Sequence, residues 1–243
     1  MDKQKTDLSP KAAIVTGASS GIGSAIAKML LELGYEVYGI GRKFDNEYTH
    51  PQFHALECDL LDTAQLERRI TDIRKNNIVH VLVNNAGVGY YGLHEELNPS
   101  KIRELVRTNL EVPMILTNLL LRDLKVSGGF VINISSVTAL QENPHGCAYG
   151  ATKAGLTGFS RSLFAETRKY GVKVITVQPD MTRTNLYRNA DFANDETAEA
   201  VLEPEEVAEA VRYAVTAREG MVVSEITLKP QIHRIQRRGP KHH

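Results

Sequence analysis

A short apolar run, 12–16, ends in Gly17-Ala18-Ser19-Ser20-Gly21-Ile22-Gly23, and from Ile22 onward the apolar residues recur at helical spacing to residue 33. A buried strand that breaks at glycines and restarts at once as a helix is compatible with few folds. The glycines let the backbone turn sharply and come close to an anion. The first turn of the helix offers unpaired N–H groups and a positive dipole end. Glycines at this spacing are weak evidence alone and are compatible with an empty strand-to-helix turn. Placed after the first strand and opening the first helix, they predict a site for the pyrophosphate of a dinucleotide.

The rest of the chain repeats the alternation. Apolar stretches at 35–40, 53–58, 79–83, 130–134, 172–177 and 222–228 read as further strands. Helical patterns fall between them, at 63–75, 99–124, 149–170 and 204–217. Gly34 stands where a helix C-terminus favours glycine. Asn98-Pro99 is a good cap and first helical residue, and Pro113 should kink or divide the helix it opens. Glu205 and Glu206 stand in the first turn of the last helix, where the dipole favours acids. Continuous apolar strands alternating with helices predict an α/β fold: a Rossmann-type doubly wound sheet of about seven parallel strands with helices on both faces, a three-layer α/β/α sandwich.

The 243 residues fit one domain, 1–243, with a polar N-terminal extension at 1–10, a short irregular stretch at 180–202 suited to a small lid, and a basic tail at 229–243. Lys229, Arg234, Arg237, Arg238 and Lys241 give that tail its charge and read as a solvated face; His242 and His243 close it and read equally as expression remnants. The formal net charge is zero, which argues against nucleic acid as the main partner. No run reaches the roughly 20 apolar residues that a membrane span needs, and the N-terminus has no apolar signal core. The two cysteines, Cys58 and Cys147, form no disulfide framework or metal-ligand pattern, and Cys147 reads as a small buried side chain. A reduced, cytoplasmic setting, no metal and a small-molecule substrate are the expectation.

The end of the second strand bears on which dinucleotide is bound. An acid there would hold the ribose hydroxyls of NAD, whereas an arginine accommodates the extra phosphate of NADP. Here Gly41 is followed by Arg42 and Lys43, so NADP(H) is expected over NAD(H), with Arg42 gripping the phosphate through paired hydrogen bonds. Tyr149 and Lys153 lie four apart on one helical face, and Ser135 and Ser136 end the strand before that helix. Ligands of open parallel sheets sit beyond the strand carboxyl ends, so Ser136, Tyr149 and Lys153 can converge beside the nucleotide.

With these residues in place the chain resembles the short-chain dehydrogenase/reductase family, in its compact single-domain branch. Thr16-Gly17-x-x-x-Gly21-x-Gly23, Asn84-Asn85-Ala86-Gly87, Ser136 with twelve residues before Tyr149, and Tyr149-Gly150-Ala151-Thr152-Lys153 carry the likeness over nearly the whole chain. Asn109 falls at the family's fourth catalytic position, and Asp59-Leu60 matches the pair that holds the adenine. The resemblance implies hydride transfer between nicotinamide and a carbonyl or alcohol carbon. Tyr149 would be general acid in reduction and base in oxidation, with a pKa lowered by Lys153 and the oxidised nicotinamide. Lys153 would also hold the nicotinamide ribose, Ser136 would donate to the substrate oxygen, and Asn109 would anchor a water linking Lys153 to solvent. The cofactor set it implies is Gly17, Ser19, Ser20, Gly21, Ile22, Gly23, Arg42, Asp59, Leu60, Asn85, Ala86, Gly87, Tyr149, Lys153, Pro179, Thr182 and Thr184.

The chain also departs from the pattern. Pro179-Asp180 stands where the family usually has Pro-Gly, and His80 where it commonly has aspartate. Asp180 reads either as a contact for a cationic or hydroxylated substrate or as a solvent-facing acid. Ser136, Tyr90, Tyr91, Asp180 and Arg188 are the expected substrate contacts. Arg183 or Arg188 would suit an anionic substrate. Relatives form dimers or tetramers through the long helices, and Leu110, Ile115, Leu119, Leu156, Phe159 and Leu163 are candidates for such an interface or for core. Two rival readings stay open: reduction of 3-oxoacyl groups on a carrier protein, and a non-catalytic NADP(H)-binding regulator.

Overall fold

The computed structural model describes residues 11–44, 49–190, 192–195 and 197–237. The expected extension at 1–10 and Arg238, Lys241, His242 and His243 of the tail lie outside the described residues. Seven strands form one sheet: β1 (Ala12–Thr16), β2 (Glu36–Gly41), β3 (Phe53–Glu57), β4 (Val79–Asn84), β5 (Phe130–Ile134), β6 (Lys173–Pro179) and β8 (Glu225–Leu228), in the order β3-β2-β1-β4-β5-β6-β8. Every pairing is parallel. The order reverses beside β1, and there the carboxyl ends of β1 and β4 open a crevice. This is the doubly wound α/β fold that the alternation predicts.

Alternate strand residues feed two cores, which is why these strands read as unbroken apolar runs. Ala13, Val15, Ile132 and Ile134 face α1 (Gly21–Glu32) and α6 (Pro204–Val215). Ile14, Leu82 and Val131 face the other side, under α2 (Thr63–Asn76), α4 (Val112–Ser127) and α5 (Cys147–Thr167). Fully buried side chains such as Ile26, Leu30, Leu116 and Leu120 each contribute about 1.5–3 kcal/mol. Helix ends are set locally. The α1 helix closes on Gly34, whose φ of +82° suits glycine, with Gly34 N–H donating to Leu31 O and Tyr35 N–H to Leu30 O. Asp62 caps α2 by accepting from Gln65 N–H at 3.0 Å, and Glu203 with Glu206 forms a capping box on α6. Arg212 joins α6 to Glu32 of α1, and Arg74 meets Asp123 with two bonds, joining α2 to α4.

The helix expected at 99–124 is divided. The α3 segment (Pro99–Val106) runs into a π turn (Arg107–Glu111), in which Val112 N–H reaches back five residues to Arg107 O, and α4 follows with Pro113 in its first turn. Proline has no N–H to return to the carbonyl of Asn109, four residues earlier, so the regular ladder fails here and the turn widens. A second, two-stranded sheet lies outside the predicted set. β7 (Phe192–Asn194) pairs antiparallel with β9 (Ile235–Arg237), tying the stretch expected as a lid to the stretch expected as a solvated tail. Ile232 N–H adds a bond to Glu199 O at 2.8 Å. That part of the tail is therefore structured, because its backbone groups find partners in the lid.

Candidate active site

The glycine corner is built for close approach. Gly17 and Gly21 take φ of +68° and +52°, a region disfavoured for residues with a Cβ. At Gly23 an added Cβ would stand 2.2 Å from Gly17 O and 2.4 Å from the Asn85 carboxamide, so the helix packs on the turn with no room for a side chain. Ser20 enters α1 in extended conformation and makes no side-chain cap, which leaves the helix N-terminus for a ligand. Asn85 pins the corner to the end of β4: its carboxamide donates to Thr16 O at 2.9 Å, while Thr16 Oγ1 accepts from Asn85 and Ala86 N–H at 3.0 Å each.

One cleft of about 240 Å³ runs along this edge. It is lined by every residue of the expected cofactor set except Gly23, which lies behind the turn. Arg42, exposed on leaving β2, and Asp59, after β3, stand on its walls. Glu104, Leu186, Tyr187 and Arg188 line it as well and were not expected there. The residues present fit a dinucleotide: glycine contacts where a Cβ is excluded, an open helix N-terminus, and a guanidinium on the cleft wall.

Ser136, Tyr149 and Lys153 are brought together. Tyr149 is 3% exposed, in the first turn of α5, and its hydroxyl is hydrogen-bonded to the Ser136 side chain. Lys153 is 4% exposed; its Nζ donates to Ile134 O at 2.8 Å and lies 5.8 Å from the Tyr149 ring centroid. Burial pushes the tyrosine up to about 12, against the smaller downward pull of Ser136, and draws the lysine down to about 8. Both groups lose water on burial, which sets these directions in the protein alone; the lowering expected from Lys153 together with the oxidised nicotinamide belongs to the loaded site.

Asn109 lies in the π turn, 1% exposed. Its side chain is occupied: Oδ1 accepts from Val88 N–H at 2.9 Å, and Nδ2 donates to Val88 O at 3.0 Å and Thr152 Oγ1 at 3.2 Å. Its backbone carbonyl is the one deprived of a donor by Pro113.

A second chamber, about 540 Å³, adjoins the cleft; Ser136, Tyr149, Asp180 and Tyr187 line both. One wall is aromatic. Tyr91 lies 5.6 Å from the Tyr149 ring, 6.1 Å from Tyr187 and 5.0 Å from Phe192, centroid to centroid. The 137–147 loop supplies another wall, including His145, whose φ of +62° is the positive value of a non-glycine residue. His233 arrives from the C-terminal segment. Asp180 lines the chamber rather than facing away, with Oδ1 held by Met181 N–H at 2.8 Å.

Other expectations need correction. Tyr90 is drawn from the chamber because its hydroxyl donates to Glu104 at 2.6 Å and Lys101 lies over its ring. Arg188 lines the nucleotide cleft and is not among the residues lining the chamber. Arg183 is paired with Glu203 at 2.8 Å, at the start of α6. Cys147 begins α5 and is exposed, whereas Cys58 is buried. Leu156 and Leu163 are core, so they offer nothing to a partner. His80 is more than a neutral variation: it is buried, stacked on Tyr35, edge-on to Phe130, and held near 4 by burial and by Lys11 and Lys173. Phe192 falls within the 180–202 stretch expected as a lid, but its place in the chamber, like that of His233, depends on the pairing of two distant segments.

No helix among the described residues is long and apolar enough to cross a membrane. The short chain dehydrogenase profile matches residues 11–195. An uncharacterized oxidoreductase of Staphylococcus epidermidis is 32% identical over 228 residues, covering 90% of this chain and 97% of its own. A 3-oxoacyl-(acyl-carrier-protein) reductase of Vibrio harveyi is 30% identical over 235 residues, covering 90% and 95%. Among solved structures, an alcohol dehydrogenase of the archaeon Thermococcus sibiricus complexed with 5-hydroxy-NADP superposes with a TM-score of 0.84 at 26% identity, covering 93% of this chain and 99% of that one. A metagenomic short-chain oxidoreductase in complex with NADP gives 0.75 at 28%, covering 91% and 98%. The chain belongs to the short-chain dehydrogenase family of oxidoreductases.

Proposed function

We propose that this protein is a cytoplasmic, homo-oligomeric NADP(H)-dependent reductase of a small carbonyl compound, working through Tyr149 as proton donor. The observation that carries the reading is the position of the Ser136–Tyr149 pair on the seam between the cleft and the chamber. A group there reaches one molecule from each cavity. When bound, the nicotinamide supplies or accepts the hydride.

The chain's own residues hold and move the proton. Ser136 donates to the substrate oxygen and steadies the charge that develops there. Tyr149, protonated up to about 12, gives its proton to that oxygen as it becomes an alkoxide, a stronger base than a phenolate. Lys153, drawn down to about 8, is charged in much of the population at neutral pH and holds the ribose. A water on the Asn109 carbonyl would return a proton from solvent through Lys153 to Tyr149. In oxidation the same tyrosine takes the proton, its pKa lowered by Lys153 and the oxidised nicotinamide. Arg42 supports NADP(H), as do the NADP-type ligands of the Thermococcus and metagenomic proteins. Likeness to the Vibrio enzyme favours a second reading, reduction of 3-oxoacyl thioesters.

The test is loss of absorbance of NADPH, and separately NADH, at 340 nm against aldehydes, ketones, 3-oxo acids and 3-oxoacyl thioesters. Tyr149→Phe should retain NADPH binding and lose turnover by about 100-fold or more, the range of general acid catalysis. Turnover that survives in Tyr149→Phe would overturn the mechanism. Tight NADPH binding without turnover anywhere in the panel would favour a regulator.

A further inference from the structure

The chamber walls have an uneven chemistry. Among its described lining residues are two carboxylates, Asp180 and Glu142, and no lysine or arginine. The arginines expected to greet an anion stand elsewhere: Arg188 lines the cleft and Arg183 is paired with Glu203. The same chamber carries the ring cluster of Tyr91, Tyr187 and Phe192, in which Tyr187 and Phe192 lie 5.4 Å apart. The Tyr91 hydroxyl makes no hydrogen bond to any described residue, although the residue is largely buried. Ring faces with a nearby carboxylate are a receptor for an organic cation.

The place of Asp180 sets where that cation lies on the ligand. It lines both cavities, as Ser136 and Tyr149 do, so a charge beside it belongs on atoms next to the reacting carbon. An oxo acid or another anion there would meet a carboxylate of like sign, with no lysine or arginine among the chamber's described lining residues to offset it. We infer that the chamber takes an α-amino ketone, reduced to the vicinal amino alcohol, with the substrate ammonium held between Asp180 and the rings of Tyr91, Tyr187 and Phe192. The inference rests on the proposed role of Tyr149 in carbonyl reduction. The step balances as any such reduction: NADPH delivers a hydride to the carbonyl carbon, the C=O π pair moves to oxygen, and Tyr149 gives that oxygen a proton later replaced from solvent.

The experiment measures kcat/KM with NADPH for aminoacetone, for its neutral isostere butanone, and for acetoacetate. Aminoacetone should exceed butanone by about tenfold or more, the scale of a desolvated cation–π contact, with acetoacetate no better than butanone. Asp180→Asn should bring the aminoacetone-to-butanone ratio towards one, and Phe192→Leu should lower it, in proteins whose melting temperature and NADPH affinity show them folded. The same preference should appear in native protein without any variant, as competitive inhibition by methylammonium and none by acetate. Butanone or acetoacetate matching aminoacetone in native protein overturns the inference. So does an unchanged ratio in folded Asp180→Asn. Tyr149-dependent reduction of other carbonyls alone would sink the ammonium assignment and keep the reductase. Absence of NADPH-linked turnover with every carbonyl would overturn both.

Discussion

Gly23→Ala tests the corner on which the nucleotide reading depends. The new methyl would begin 2.2 Å from Gly17 O and 2.4 Å from the Asn85 carboxamide. Neither neighbour is the loose end of a side chain. Gly17 N–H is bonded to Ile40 O at 2.7 Å, and the carboxamide donates to Thr16 O at 2.9 Å. Unstrained contact between heavy atoms needs roughly 3.5 Å, so α1 must withdraw by about 1 Å or the Asn85 bond must break. Overpacking costs about 1–3 kcal/mol and a lost buried bond about 1 kcal/mol more. In a chain of this size each kcal/mol lowers the melting temperature by roughly 2–4 °C, so a fall of about 4–16 °C is expected. The same shift drags the helix N–H groups away from the pyrophosphate, so NADPH should protect the variant less than the native protein. Gly158→Ala is the comparison: it is exposed, inside α5, with nothing within 4 Å of the new methyl. It should raise stability by about 0.5–1 kcal/mol, because alanine favours the helix. Thermal unfolding followed by circular dichroism, with and without NADPH, reads both. A Gly23→Ala protein that melts with the native one and binds NADPH as well would refute the packing argument.

Three further outcomes are expected. Arg42→Asp should raise the KM for NADPH about tenfold or more, as loss of a charge-assisted pair and gain of repulsion imply, with little change for NADH; equal effects on both cofactors would remove Arg42 from phosphate recognition. Arg188→Ala should raise the KM for NADPH and leave the carbonyl substrate's KM alone, since Arg188 lines the cleft and not the chamber; the opposite split would return it to the substrate side. His80 is held near 4, well below its free value of about 6.5, so the unfolded chain binds the extra proton between those limits and stability falls as pH drops through them, by up to about 3 kcal/mol. His80→Phe should flatten that acid limb of melting temperature against pH, and an unaltered slope would assign it to other groups.

What could be read from the sequence was local. Gly34 closing α1, Pro113 breaking a helix and glycines at the phosphate corner each act within a few residues, so spacing alone carries them. The convergence of Ser136, Tyr149 and Lys153 needed one more step, the rule that parallel strands deliver their ends to one edge. What was misread depends on neighbours that no spacing reports. Tyr90 and Tyr91 are adjacent and alike, and it is Tyr90 that Glu104 and Lys101 hold, while Tyr91 lines the chamber. The β7–β9 ribbon joins segments with no pattern of their own and carries Phe192 beside Tyr91 and Tyr187, with His233 two residues before its second strand. The two halves of the site therefore have different origins. The machinery for moving a proton is written in short intervals of one strand and one helix, while the walls that choose a substrate come from a lid and a tail that meet only in the folded chain. Exchange of residues 180–202 and 229–237 between relatives should then change which carbonyl is taken while leaving the Ser136, Tyr149 and Lys153 geometry in place, because no side-chain hydrogen bond of that triad reaches a described residue of either segment.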